Sequence, residues 1–168
     1  MSFYVIVRGP LGSGKTTLSA RLADRLKAEH IAIDQILEKH HLEEWENGYI
    51  SESSFLQANH IAASSARPFL RRGTPVVIDG NFYWRSAVDD LLRCLPFPHV
   101  VFTLKVPLST CIARDGVRSP PHGAEAAREV YAKTISFDYG VPVDASGSVE
   151  ETVELLWREL KRQQMPEV

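Results

Sequence analysis

The chain has 168 residues, 44% of them hydrophobic and 24% charged, and a net charge of −2. That length can bury about two thirds of its own surface without disulfide or metal staples, and the near-zero charge gives no field for holding a polyanion. Cys94 and Cys111 form neither a disulfide framework nor a CxxC pattern, no apolar stretch reaches the ~18 residues of a membrane span, and no signal-peptide layout opens the chain. One domain over 1–168, in the cytoplasm, is the expectation.

In chain order, the β-branched run Phe3–Val7 reads as a first strand. Leu18, Leu22 and Leu26 then recur at helical spacing. A weaker strand, Ile31–Ile33, leads to Asp34, which reads as an N-cap for a helix over Ile36–Glu46. A longer helix over Glu52–Arg72 is expected to break at Pro68 and stop at Gly73. Strands follow at Val76–Ile78, Val100–Val106 and Val141–Val143, with a helix opening at Pro107-Leu108 after the second of them. Ser148 and Glu151 spell a capping box for the last helix, whose apolar face is Val149, Val153, Leu156 and Leu160. Strands alternating with helices imply an α/β fold: a five-stranded parallel sheet with helices on both faces, in three layers.

Between the first strand and first helix lies Gly9-Pro10-Leu11-Gly12-Ser13-Gly14-Lys15-Thr16, a full G-x4-G-K-[ST] match in its required context, with Thr17 next in the helix. Glycines let successive N–H groups curl around one anion, and the helix N-terminus adds its dipole. Lys15 would reach the β- and γ-phosphates of ATP, with the Thr16 hydroxyl on Mg²⁺. Val76-Val77-Ile78-Asp79 reads as a strand ending in the metal-holding carboxylate that complements Thr16, and Gly80-Asn81 follows it where a water-activating Glu would mark a motor ATPase. There is no NKxD guanine motif, and the one formal D-x-x-G match, Asp144–Gly147, lies near the C-terminus.

On these residues the chain resembles the adenylate kinase-like group of P-loop kinases, which includes shikimate, gluconate and polynucleotide kinases, chloramphenicol phosphotransferase and zeta toxins. The resemblance implies a P-loop NTPase fold with a short lid near residues 114–124, and transfer of the γ-phosphate of ATP to a hydroxyl. It implies that Asp34 orients or deprotonates that hydroxyl, and that Arg114 and Arg118 are lid arginines acting on the transferring phosphoryl group. Asn81 and Arg85 are candidate acceptor contacts, and the Asp144–Gly147 loop takes the place where these kinases pack against the base. Phe82-Tyr83-Trp84 reads either as acceptor lining or as core, the histidines show no metal spacing, and Arg67, Arg71 and Arg72 read as a solvated face.

The acceptor stays open. A small metabolite, drug-like molecule, nucleoside or nucleotide is the leading class, and the acidic balance weighs against a polynucleotide 5′-hydroxyl. Neither the shikimate-cradling glycine triplet nor a D-G-F-P-R-like monophosphate element is present. A nucleotide-binding regulatory protein and a slow ATPase switch need the same phosphate loop and are the competing readings.

Overall fold

The structure, a computed structural model, describes residues 2–163. Five parallel strands form the sheet: β1 (Tyr4–Arg8), β2 (Glu29–Ala32), β5 (Val76–Gly80), β6 (His99–Lys105) and β7 (Val141–Asp144), in the order β2-β5-β1-β6-β7. β1 is central, with Tyr4 beside Val76 on one side and His99 on the other. Among the described residues no helix is long and apolar enough to cross a membrane.

Alternation along β1 builds two cores. Phe3, Val5 and Val7 face α1 (Lys15–Leu26) and α7 (Val149–Arg162), where Leu18, Leu22, Leu156 and Leu160 pack. Tyr4 and Ile6 face the other way, toward Phe55, Ala62 and Leu70 of α3 (Glu52–Arg71) and Val88 and Leu91 of α4 (Arg85–Cys94). Burying a Leu fully is worth about 1.5–3 kcal/mol, so each face is held by several such side chains. The period of two also sends Arg8 into the interior, with no exposed surface. Its guanidinium donates to the Thr134 carbonyl (2.8 Å) and the Thr103 hydroxyl (3.2 Å) and stacks on Phe137. Burial pulls its pKa down to about 10.

Several expected boundaries move. β2 ends at Ala32, and Ile33 already belongs to α2 (Ile33–Lys39), so Ala32 is the N-cap and Asp34 lies in the first turn. There a carboxylate still faces the positive end of the helix. The helix expected to reach Glu46 stops at Lys39, and a hairpin of β3 (Trp45–Glu46) and β4 (Tyr49–Ile50) takes its place. Asn47 and Gly48, both at positive φ, turn it. α3 runs through Pro68 to Arg71 without a break, at the loss of the one helical hydrogen bond that the proline nitrogen cannot make. Gly73 at φ 89° then closes it, with Gly73 N–H donating to the Leu70 carbonyl and Thr74 N–H to that of Phe69. Both bonds of the Ser148–Glu151 capping box are present.

Candidate active site

A cleft of about 980 Å³ opens at the carboxyl end of the sheet, where α/β folds place ligands. Leu11 to Thr17 line it, while Gly9 and Pro10 form the buried base of the same loop. Gly14, the N-cap of α1, is in the left-handed region, and the first helical turn has neither a side-chain cap nor an acidic residue. The positive end of α1 is therefore left open to the cleft, which suits an anion. Gly12 is at φ 77°, and a Cβ there would lie 2.2 Å from the Cys111 carbonyl of α5 (Leu108–Gly116). Only glycine fits that approach.

Behind the loop, Thr16 Oγ1 donates to Asp79 Oδ1 at 2.9 Å, and His30 Nε2 donates to Asp79 Oδ2 at 2.5 Å. Asp79 is fully buried and stands behind Thr16, which itself lines the cleft. Hard oxygen donors grouped next to an anion cradle fit Mg²⁺, with Thr16 nearer the cleft and Asp79 behind it. His30 was invisible to motif spacing. The parallel register supplies the missing signal, since His30 pairs with Val77 and Ala32 with Asp79, putting His30 and Asp79 on one face of adjacent strands.

On the cleft floor, Lys15 Nζ lies 4.0 Å from Asp34 Oδ2. The Asp34 side chain keeps 43% of its surface open to the cleft, and desolvation by the protein packed around the rest of it is the largest influence and raises its pKa; Lys15 opposes that rise, Asp79 adds to it, and the Asn81 amide and His122 oppose it. A carboxylate held above its usual range is a better proton acceptor near neutral pH. Asn81 also lines the cleft, and its buried side-chain Oδ1 has no hydrogen-bond partner among the described residues.

Arg114, on α5, serves the loop directly. Its Nη1 donates to the carbonyls of Ser13 (3.2 Å) and Ala145 (3.1 Å), and its Nη2 to that of Gly147 (3.2 Å). The guanidinium thus ties the phosphate loop to the Asp144–Gly147 turn, part of which also lines the cleft. Arg118 lines the cleft from the exposed loop between α5 and α6 (Ala124–Thr134), the region expected to form a lid. That loop is closed by the buried Asp115, which accepts from His122 Nδ1 (3.0 Å) and Gly123 N–H (2.9 Å).

Arg85 is not brought to the cleft. At the start of α4, its guanidinium bonds the Asp138 carbonyl and lies over Tyr139. The aromatic run divides: Phe82 is core, the Tyr83 hydroxyl accepts the Ile50 N–H at 2.8 Å while its ring edges the cleft, and Trp84 Nε1 donates to the Ile50 carbonyl. Arg71 and Arg72 are solvated, whereas Arg67 bonds the Cys94 carbonyl. Apart from the cleft, helix packing brings ligand atoms of His60, Asp90 and Cys94 within 4.8 Å of one another, a grouping that chain spacing does not reveal.

Known structures share this architecture. A sugar kinase from Janibacter sp. HTCC2649 superposes with a TM-score of 0.80 at 19% identity, covering 96% of this chain and 95% of its own. A gluconokinase from Sinorhizobium meliloti 1021 gives 0.76 at 17% identity, over 95% and 91%. The Mycobacterium tuberculosis APS kinase CysC, solved with AMPPNP and APS, gives 0.71 at 16% identity, over 95% and 98%. At such identities the likeness shows the fold, that of P-loop kinases. No curated protein sequence matches the chain. The profile described as an AAA domain (AAA_33) matches residues 5–136, and the chain therefore belongs to that family of P-loop proteins.

Proposed function

We propose that the protein is a single-domain, ATP- and Mg²⁺-dependent kinase that phosphorylates a hydroxyl of a small molecule. The observation that carries this reading is the pairing of Lys15 and Asp34 at 4.0 Å on the floor of one cleft. A cation suited to the γ-phosphate there meets a carboxylate with a raised pKa. In the reaction the acceptor oxygen bonds to phosphorus as the bond to the ADP oxygen breaks, and Asp34 takes the hydroxyl proton. Lys15, the open N-terminus of α1 and Arg118 stabilise charge on the phosphoryl oxygens, while Arg114 holds the loop in shape. Thr16 and Asp79 would hold the magnesium, which would supply charge neutralisation for the phosphates. Asn81 sits beside Asp34 on the acceptor side, and Arg85 has no place in this scheme.

The test is a screen of hydroxyl compounds with γ-labelled ATP and Mg²⁺, run on wild type and Asp34→Asn. A labelled acceptor product made by wild type, and strongly reduced in the variant with nucleotide binding kept, supports the reading. Label released only as inorganic phosphate points to an ATPase switch. Nucleotide bound with no turnover points to a binding protein.

A further inference from the structure

We infer, building on the kinase reading above, that the acceptor is a cationic alcohol: a hydroxyl compound bearing at least one protonated amine, in contrast to a sugar acid or a phosphorylated acceptor. The cleft has two unlike ends. Its basic side chains are Lys15, Arg114, Arg118 and His122, all on the phosphate loop, on α5 or on the loop that follows α5. Three already have partners in the protein: Lys15 with Asp34, Arg114 with three carbonyls, and His122 with Asp115. Arg118, the fourth, is the one assigned to the phosphoryl group.

The opposite wall is made by α2, the β3–β4 hairpin and α6. Besides Asp34, its charged lining residues are Glu38, Glu43 (on the segment between α2 and the hairpin) and Glu129, and among the described residues no Lys or Arg of this wall lines the cleft. Among the described residues none of these three carboxylates enters a hydrogen bond or ion pair through its side chain, and Glu129 Oε2 lies close over Gly48 at the hairpin turn. An anionic acceptor would bring its charge against three unmatched carboxylates with no basic side chain among the lining residues of that wall, Lys133 of α6 being held on the Trp84 and Tyr49 rings. An ammonium would find the reverse.

The aromatic content of the wall points the same way, independently of the charges. Trp45 lines the cleft with 66% of its surface exposed, an unusual position for an indole with no ligand to cover. Outside the cleft lining, Lys133 Nζ sits 3.6 Å from the Trp84 ring centroid and 4.5 Å from that of Tyr49, so rings of this fold do hold an ammonium. An amine on the acceptor would meet the same kind of ring face at Trp45, with Glu43 two residues away in the chain.

The test is calorimetry on the protein with Mg²⁺ and AMPPNP, titrated with kanamycin as a polyamino alcohol, gluconate as an acidic alcohol and inositol as a neutral one. Kanamycin should bind, gluconate should not, and the Glu43→Gln/Glu129→Gln double variant should weaken kanamycin at least tenfold. Both residues are exposed, so the fold is not at stake in that variant. Equal kanamycin affinity in the variant, no kanamycin binding at all, or gluconate binding as tightly would overturn the inference. The kinase reading is judged separately: phosphorylation of gluconate would refute the cationic acceptor and keep the kinase, whereas failure to bind AMPPNP would refute the kinase itself.

Discussion

The two ends of the cleft are built from different materials. At the phosphate end the contacts are offered by main chain: a curled loop, an uncapped helix start, and carbonyls gathered by Arg114. At the acceptor end the wall is a set of exposed side chains on three separate elements, α2, the hairpin and α6. The first arrangement recognises a group that never changes and tolerates no substitution where backbone meets backbone. The second can be re-specified one side chain at a time without touching the fold. On the proposed kinase reading, a constant donor and a variable acceptor call for this division.

The comparison can be broken first at Lys15. Lys15→Ala should cut phosphotransfer by at least about 10²–10³-fold, the scale for removing a preorganised electrostatic group; turnover within tenfold of wild type would refute the charge role of this end. Asp34→Asn should lower transfer by about 10²-fold, the lower range for a general base, with ATP affinity kept. Its stability carries a second signature. The fold raises the Asp34 pKa above 3.8, so the ionised carboxylate costs native stability above the folded pKa, and that cost disappears as pH falls below 3.8. Thermal melts from pH 7 to pH 3.5 should therefore show wild type gaining on Asp34→Asn as acid is added, and a gap that stays constant would contradict the raised pKa.

Gly12→Ala sharpens the contrast from the backbone side. Both the 2.2 Å approach to Cys111 and the positive φ penalise a Cβ, so the loss should exceed about 1 kcal/mol and nucleotide affinity should fall with it. An unchanged melting temperature would mean that this end has more slack than its geometry implies. The smallest effect belongs to a site remote from the acceptor wall. Ser148→Ala removes the cap of α7 and should cost about 1 kcal/mol, roughly 2–4 °C in Tm for a domain of this size, with the KM for the acceptor unmoved.

How far each end could be read from the chain follows from its construction. The phosphate loop is contiguous, so glycines, lysine and threonine at fixed spacing announce it, and β-branched runs between helical periods announce the sheet. The acceptor wall is assembled from residues 38, 43, 45 and 129, whose proximity exists only after α6 packs against the hairpin. The hairpin itself was readable in principle from Asn47-Gly48, but the apolar and charged pattern over Ile36–Glu46 favoured a helix. Arg85 shows the converse: four residues from Asn81 in sequence, it starts α4 and contacts Asp138 and Tyr139, and is not among the residues that line the cleft. His30 and Arg8 depend on strand register and on alternation through β1, and neither leaves a spacing pattern.

One carboxylate described above changes what kind of motion the molecule can make. Asp115 fastens the end of α5 to the start of α6 by accepting from His122 and Gly123, while Arg8 pins the far end of α6 at Thr134. Residues 117–122 are therefore an excursion whose two feet are stapled together. Arg118 rides on that excursion and lines the cleft from it. On the proposed kinase reading, an adjustment of the excursion would carry Arg118 toward the phosphoryl group without needing either helix, or the wall that α6 helps to build, to move with it.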